Sequence, residues 1–362
     1  MRRWFGRLGL AVGGLLVGLA GVEAASRIAG AQAGAELFYA APDAAPAGLY
    51  VTDRALLMVP QPGFTGRARA LDRAIEVRID ARGLRGAGDA TGGWLMVGDS
   101  FTLGLQVEEA ATAAARLSAH LGVPVHNGGV DGYSTFQAAG RYAALADAVQ
   151  PDGVLLVLFL GNDLHDNVAW ERQQGRMAGT IDGRPIPRPA IAPSVRLLSR
   201  VSHAYARYRV WRRSREVTGM GEAHRRRWRD QLRIFTGDGA RRLDQLLPQT
   251  AAALDGLVAE TAQRGDRLVV ALAPPAIAVH AERRGPTLAT VDLDPADATP
   301  DAPARAVARL LAERGVATCD LTGPLRAAAA GGADVYYAWD GHWTPDGHAA
   351  AARALAACIG AP

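Results

Sequence analysis

Residues 154–163, VLLVLFLGND, contain seven consecutive apolar residues followed by a glycine, an asparagine and an aspartate. A strand that is apolar at every position is buried on both faces, as in a parallel sheet covered by helices on each side. Other short apolar runs precede and follow it: Trp94–Val97, Val123–Asn127, Leu268–Ala273 and Val316–Leu321. Patterns typical of helices separate these runs, near Leu103–Leu121, Thr135–Val149, a stretch that ends near Gly265, Pro303–Arg314 and Pro345–Ala357.

This alternation predicts an α/β fold, a three-layer α/β/α sandwich around a flavodoxin-like, parallel five-stranded sheet. In such a sheet, functional sites lie outside the carboxyl ends of the strands. The predicted domain is 91–362, interrupted by an Arg-rich helical insertion at 168–243. Residues 34–90 are expected to form a connector with the first strands, one of them at Ile75–Asp80, where apolar and charged side chains alternate.

Residues 1–33 have the layout of an export signal. Three arginines precede an uncharged run of fifteen residues, Leu8–Val22. As a helix this run spans about 22 Å, less than the ~30 Å of a hydrocarbon core. It is either a signal peptide, cleaved after Ala24 or Ala33 so that the protein is secreted, or an uncleaved membrane anchor over residues 8–25. Either way, the arginines keep the N-terminus inside and place the rest outside the cytoplasm, in the periplasm or at the cell surface.

The composition excludes several classes of protein. With 49% hydrophobic and 21% charged residues, the chain can bury a core. It contains no lysine, which excludes a P-loop lysine and a pyridoxal-phosphate Schiff base. No metal or organic cofactor is implied. The two cysteines, Cys319 and Cys358, are too few for a disulfide scaffold, and in an exported protein they either pair or remain as buried thiols.

Positive charge is concentrated in one stretch. Residues 196–233 hold twelve arginines and three acidic residues, a local charge of +9 in a chain whose net charge is +4. Such a run is typical of a solvated helical face, and attraction to anionic lipid or to an acidic polysaccharide is the functional alternative. Nucleic acid is not expected as a partner, because export separates the chain from it.

Two short motifs follow the first two strands of the predicted sheet. Gly98-Asp99-Ser100 stands at a helix start, where the Ser100 hydroxyl would lie at the rim of the sheet. A serine there is either a nucleophile or a helix N-cap, and Thr102 excludes the G-x-S-x-G elbow. The second motif, NGGVDG, ends at Gly132, and its glycines either let the backbone approach a bound group or form a plain tight turn.

Two further motifs lie closer to the C-terminus. Asn162, in the sequence Gly-Asn-Asp, follows the central strand and can either donate from its amide into the cleft or cap a loop. Residues 340–345, DGHWTP, precede the last helix and put His342 on the loop at the same rim. Asp340 can bond the far ring nitrogen of His342 and fix its tautomer. The alternative interpretation is a zinc site made of His342, His348 and Asp340.

Taken in order, the four motifs resemble those of the SGNH (GDSL-type) hydrolase superfamily, which is named for Ser, Gly, Asn and His. The resemblance implies Ser100 as the nucleophile, His342 as its general base and Asp340 as the acid that orients the base. It also implies three oxyanion-hole donors: the backbone N–H groups of Ser100 and Gly132 and the side-chain amide of Asn162.

One departure from the superfamily concerns the acid. Most members place the aspartate three residues before the histidine, whereas here Asp340 and His342 are two residues apart and Trp343 follows. This Asp-x-His-Trp form resembles a membrane-anchored envelope branch that includes alginate O-acetylation proteins. Because that branch contains acyltransferases as well as esterases, the resemblance leaves hydrolysis and transfer open.

The leading hypothesis is an extracytoplasmic serine esterase that hydrolyses O-acyl esters, with acetyl groups on a carbohydrate of the cell envelope as substrate, through an acyl-Ser100 intermediate. The first alternative is an O-acyltransferase that passes the acyl group to a polysaccharide hydroxyl. The second is a non-catalytic envelope binding module that kept the fold. The presence of all five motif residues argues against the second alternative: Ser100, Gly132, Asn162, Asp340 and His342.

Overall fold

A computed structural model describes residues 13–25, 48–70, 73–86, 88–177, 202, 222–337 and 341–360 of the chain. The chain divides into two compact units. One comprises Met1–Pro46, Arg67–Ile75 and Ile186–Gly221, and the other comprises Ala47–Gly66, Glu76–Pro185 and Glu222–Pro362. The five-stranded sheet and the site described below belong to the second unit.

The central sheet has the predicted parallel topology. The strands of the described residues are β1 (Tyr50–Asp53), β2 (Leu57–Pro60), β3 (Thr65–Ala70), β4 (Arg73–Arg78), β5 (Trp94–Gly98), β6 (Val125–Asn127), β7 (Gly153–Phe159), β8 (Arg267–Ala273) and β9 (Ala317–Asp320). The sheet order is β6-β5-β7-β8-β9, with every neighbouring pair parallel. The pairs β1–β2 and β3–β4 form separate two-stranded sheets. The chain crosses over after β6, as in flavodoxin-like folds.

Helices cover both faces of this sheet. The helices of the described residues are α1 (residues 13–25), which belongs to the other unit, and α2 (Ser100–Leu103), α3 (Ala113–Leu121), α4 (Thr135–Val149), α5 (Asp163–Met177), α6 (Glu222–Arg233), α7 (Gly239–Arg264), α8 (Ala276–Val279), α9 (Ala281–Thr290), α10 (Ala302–Ala312), α11 (Thr322–Ala330) and α12 (Pro345–Ile359). Alternate side chains of β5 enter different clusters: Leu95 and Val97 pack with α4, α7 and α10, whereas Met96 packs with α3, α11 and α12. The three-layer sandwich is thereby confirmed.

One helix differs from its prediction. The stretch Leu103–Leu121 was expected to be continuous, but α2 ends at Leu103 and α3 begins at Ala113, with a 3₁₀ turn at Glu109–Ala111 between them. Gly104 has φ +68° and ends α2 in the left-handed conformation, which favours glycine. Thr112 then caps α3 by accepting from the Ala115 N–H at 3.3 Å.

The predicted insertion at 168–243 begins inside α5 and ends inside α7. Its last part is core: Leu232, Ile234, Phe235 and Leu243 are all buried in the cluster that covers one face of the sheet. Residues 178–201 and 203–221 lie outside the described residues. The division into 1–33, 34–90 and 91–362 therefore stays a prediction.

The predicted export signal lies partly outside the described residues, since only residues 13–25 of the first 47 are described. They form a helix whose side chains are largely exposed. In the described part of the chain, no helix has both the length and the apolar character needed to cross a membrane.

The two cysteines are joined. Cys319 on β9 and Cys358 near the end of α12 form a disulfide with their Cα atoms 6.1 Å apart. Of the two alternatives open from the sequence, the structure has the pair rather than two thiols. The bond ties the last strand of the sheet to the helix that follows His342.

Candidate active site

Ser100 lies at the carboxyl end of β5, in a turn that we call the serine turn (Gly98–Gly104). Gly98 has φ +152°, and a Cβ there would lie 2.5 Å from Thr102 Oγ1 and 2.6 Å from the Val157 carbonyl oxygen, so no other residue fits without a shift. The Asp99 carboxylate caps α2 by accepting from the Phe101 N–H at 2.9 Å. Ser100 is therefore the first helical residue rather than the N-cap.

Two buried side chains hold the far end of the serine turn. The Arg85 guanidinium donates to the carbonyls of Leu103, Gly104 and Val107, the last at 2.7 Å. Burial lowers the pKa of Arg85 to about 10, so it remains charged at neutral pH. The Asn127 amide donates to the Thr102 carbonyl at 2.9 Å. These bonds satisfy carbonyls that the end of a short helix would otherwise leave unpaired.

His342 reaches the serine from the loop before α12. Its Nε2 lies 2.8 Å from Ser100 Oγ, although the two residues are 242 positions apart in the sequence. The Phe101 ring lies beside the imidazole, with centroids 5.0 Å apart, and meets the Trp343 ring edge-on at 5.1 Å. A serine O–H that donates to Nε2 requires the ring proton on Nδ1. The pair can then pass a proton from Oγ to Nε2.

Asp340, the predicted orienting acid, lies outside the described residues. Its role stays a prediction. His348, the third member of the alternative zinc site, is buried, and its Nδ1 accepts from the Ala113 N–H at 3.1 Å. Burial lowers the pKa of His348 to about 3, so the ring is neutral and packs α12 against the start of α3.

Asn162 follows β7, and three largely buried carboxyl groups occur at this end of the sheet: Asp99, Asp163 and Asp166. Its Nδ2 donates to Asp166 Oδ2 at 2.8 Å. Asp163 accepts from the Phe159 N–H at 2.8 Å, and burial together with the charges of Asp99 and Asp166 raises its pKa well above the usual range. Burial also raises the pKa of Asp99 to about 7 and that of Asp166 to about 6.

Ser100, Asn162 and His342 line one cavity of about 480 Å³. Gly132, the fourth predicted residue of the described part, has φ +68° but is not among the residues that line this cavity. The structure thus brings three of the predicted residues to one space.

Several lining residues had not been predicted from the sequence. Trp228, Gln231 and Leu232 come from α6, which we call the wall helix (Glu222–Arg233), and other side chains come from α9 and the loop before α12: Arg283, Thr287 and Tyr337. The wall helix belongs to the Arg-rich stretch that was interpreted as a solvated face. A tryptophan within a run of arginines was the available signal that this helix also has a side turned to the cavity.

Comparison with known proteins finds similarity in the C-terminal part of the chain, which contains the motif at residues 340–345. Residues 234–362 match a family described as an SGNH hydrolase-like domain, acetyltransferase AlgX. The matched residues contain His342 but not Ser100, Gly132 or Asn162. A probable alginate O-acetylase AlgJ of Pseudomonas fluorescens is 34% identical over 116 residues, which are 32% of this chain and 28% of that relative. The match therefore spans less than a third of the relative's length.

The solved structures that are similar to this chain are more distant in sequence. The α/β hydrolase LAE5 from the metagenome of Lake Arreo, Spain, is 17% identical with a TM-score of 0.39, covering 75% of this chain and 97% of that one. A catalytic mutant of Axe2, an acetylxylan esterase from Geobacillus stearothermophilus, is 15% identical with a TM-score of 0.39, covering 76% and 97%. Likeness at this level carries no information about function. The matches to the acetyltransferase domain and the O-acetylase nevertheless confirm the resemblance of this chain to SGNH hydrolases and to their alginate O-acetylation branch.

Proposed function

We propose that the chain is an enzyme that cleaves acetyl esters through an acetyl-Ser100 intermediate, with a polysaccharide as the acetyl donor or as the acceptor. The observation that carries this proposal is the 2.8 Å contact between His342 Nε2 and Ser100 Oγ at the edge of a cavity. A neutral serine is a weak nucleophile, and a base within hydrogen-bond distance activates it. The acetyltransferase and O-acetylase descriptions of the matching proteins support acetyl as the transferred group.

The proposed reaction has two halves. In the first, Ser100 Oγ attacks the ester carbonyl while His342 Nε2 takes the hydroxyl proton, and the tetrahedral oxyanion accepts hydrogen bonds from the Ser100 N–H, the Gly132 N–H and the Asn162 amide. Collapse breaks the ester bond, and His342 returns the proton to the leaving alcohol. In the second, His342 deprotonates an incoming hydroxyl, whose oxygen attacks the acetyl-Ser100 ester. Collapse breaks the bond to Ser100 Oγ, and His342 returns the proton to that oxygen. Asp340 is proposed to stabilise the imidazolium formed in both halves.

The acceptor distinguishes the two candidate activities. With water as acceptor the enzyme is an esterase, and with a sugar hydroxyl it is an O-acetyltransferase. The descriptions of the matching proteins favour transfer. The cavity of about 480 Å³ can hold more than an acetyl group, and its lining includes the aromatic side chains of Trp228 and Tyr337 and the cation of Arg283. Acetate release from a chromogenic acetate ester without acceptor indicates the esterase, whereas turnover that requires a polysaccharide, with acetyl found on the sugar, indicates the transferase.

The test of the proposal is Ser100→Ala. We expect kcat on the acetate ester to fall at least about a thousandfold, because the covalent route is lost. The free energy of unfolding should change by less than about 0.5 kcal/mol, because a rim hydroxyl contributes little to folding. Ser118→Ala is the matched control, since Ser118 Oγ donates only to the Val123 carbonyl, at 2.8 Å. Wild-type turnover by Ser100→Ala, or a fluorophosphonate label on another residue, would refute the proposal.

We further propose that the domain works outside the cytoplasm, held there by residues 8–25 or released by cleavage. Support comes from the arginines ahead of the apolar run and from the disulfide, a bond that persists in oxidising compartments. The test is fractionation of cells that express the full chain. Recovery of the protein in the cytoplasm with both thiols free would contradict this placement.

A further inference from the structure

Of the two polar atoms in the Asn162 side-chain amide, only one has a hydrogen-bond partner among the described residues. Nδ2 donates to Asp166 Oδ2 at 2.8 Å, whereas Oδ1 is buried and has no hydrogen-bond partner among the described residues. Because Oδ1 is closed off from solvent, Nδ2 is the polar atom of this amide that can serve the cavity. Its first proton goes to Asp166, and its second remains for a ligand.

Asp166 selects between the two orientations of this amide. Rotation by 180° exchanges the amide N and O, and shape alone barely distinguishes the two states. In the rotated state Oδ1 would face Asp166 Oδ2, so two acceptors would meet and no N–H would be available to an oxyanion. Because no group of the described residues donates to Oδ1, the bond to Asp166 is the hydrogen bond that opposes rotation there.

The surroundings keep this carboxyl charged and in place. Its side chain is 18% exposed, and the Arg227 guanidinium of the wall helix lies 3.7 Å away. Burial raises the pKa of Asp166 to about 6, while Arg227 and the Asn162 amide act against that rise. At neutral pH the group is therefore mostly an anion that only accepts hydrogen bonds, which excludes the rotated amide.

We propose that Asp166 is a positioning residue that aims the Asn162 amide at the oxyanion formed on Ser100. The proposal rests on the proposed function, in which Asn162 donates to that oxyanion. Asp166 itself touches neither Ser100 nor the substrate. It acts through the orientation of one amide, so it affects the transition state and leaves binding of the planar ester unchanged.

The first experiment compares Asp166→Ala with Asp230→Ala on the acetate ester. Asp230 is the matched control because it joins the same wall helix to α7 and α5, through Arg242 Nη2 at 2.5 Å and His165 Nε2 at 3.8 Å, without touching Asn162. We expect Asp166→Ala to lower kcat about ten- to a hundredfold with little change in KM, because one oxyanion donor is misdirected. Asp230→Ala should stay within about twofold of wild type. Equal losses in the two variants would mean that Asp166 merely holds the helix, and would overturn the proposal.

The second experiment is a double-mutant cycle with Asn162. If Asp166 acts through the amide, the double variant Asn162→Ala/Asp166→Ala should have the same kcat as the single variant Asn162→Ala. Multiplicative losses would overturn the proposal. Asp166→Asn keeps an acceptor oxygen and nearly the same shape, so its kcat should exceed that of Asp166→Ala even if the alanine variant is less stable.

Failure of this inference is distinguishable from failure of the proposed function. If Asn162→Ala lowers kcat and Asp166→Ala does not, only the positioning role falls. If the wild-type protein shows no turnover or labelling at Ser100, or if Asn162→Ala is as fast as wild type, the oxyanion-hole assignment falls and the positioning role falls with it.

Discussion

The serine turn and the wall helix border the same cavity but are held by different forces. The turn is fixed by hydrogen bonds from the buried Arg85 and Asn127 side chains to backbone carbonyls. The polar contacts of the wall helix include ion pairs, in one of which the Arg227 side chain is 72% exposed. Leu232 in its last turn is buried in the core, and Trp228 packs against that core.

This difference determines what each region can contribute. Buried hydrogen bonds to a charged group are costly to lose, about 1.5–3 kcal/mol each, whereas exposed ion pairs contribute about 0–1 kcal/mol. The serine turn is therefore expected to keep Ser100 in position against substitution of its surroundings. Apart from Leu232 and Trp228, which contact the core, the wall helix is expected to accept substitutions at little cost in stability.

The largest expected effect on stability comes from the disulfide, which belongs to neither region. Its removal should lower stability without changing activity. Removal of the disulfide by Cys319→Ala with Cys358→Ala should lower the free energy of unfolding by about 3–4 kcal/mol, because the bond closes a loop with a sequence separation of 39. Urea unfolding measures the loss. Since neither cysteine is among the residues that line the cavity, KM at low temperature should stay within about twofold of wild type.

An unchanged urea midpoint in the double variant would contradict the disulfide prediction. Cys319→Ala alone is a useful second variant, because it leaves Cys358 as a thiol and should lose nearly the same stability. A large rise in KM without loss of stability would mean that the disulfide shapes the cavity instead.

Truncating one arginine in the serine turn's surroundings and one in the wall helix tests whether the two regions differ in their contribution to stability. Arg85→Ala should lower the free energy of unfolding by about 2–3 kcal/mol, because the carbonyls of Leu103, Gly104 and Val107 lose their donor. Arg227→Ala should lower it by less than about 0.5 kcal/mol, because the Arg227 side chain is 72% exposed and its guanidinium lies 3.7 Å from the Asp166 carboxylate. Denaturant unfolding of both variants under one set of conditions gives the two values. Similar losses of unfolding free energy in the two variants would mean that the serine turn and the wall helix are not held by contacts of different strength.

A smaller effect should appear with pH at the base of the serine turn. Burial raises the pKa of Asp99 to about 7, above the roughly 3.9 of an unfolded chain, so the folded state binds a proton more tightly. Its contribution to stability is therefore complete below about pH 4 and is lost as the pH rises through about 7. Asp99→Asn, which keeps an oxygen for the Phe101 N–H, should lose less stability than wild type between about pH 5 and about pH 8.

The control for this pH effect is Asp346→Asn, at the start of α12. It should change the free energy of unfolding by at most a few tenths of a kcal/mol, through the helix N-terminus, and equally at both pH values. If wild type and Asp99→Asn lose the same stability between the two pH values, the prediction is wrong. Burial would then not oppose the ionisation of Asp99.

Residues at strand ends were predictable because their positions follow from local patterns. The apolar runs locate the parallel strands, and parallel strands end at one edge of the sheet, so Ser100, Asn162 and His342 were expected together and line one cavity. The continuous helix expected over Leu103–Leu121 was wrong because its apolar pattern continues through Gly104. The left-handed conformation of that glycine ends the helix, and periodicity does not encode it.

The sequence by itself determined the alternation of strands and helices, the sheet type and the chemistry-bearing residues at its rim, since each depends on neighbours within a few positions. The tertiary structure alone decided which side chains enclose the cavity, Trp228 and Arg283 among them, and which buried partners hold the site. It placed Arg85 on the end of the serine turn and Asp166 on the amide of Asn162. Whether an arginine or an aspartate is solvated or committed to a buried partner depends on contacts made when the whole chain packs, and no local pattern carries that information.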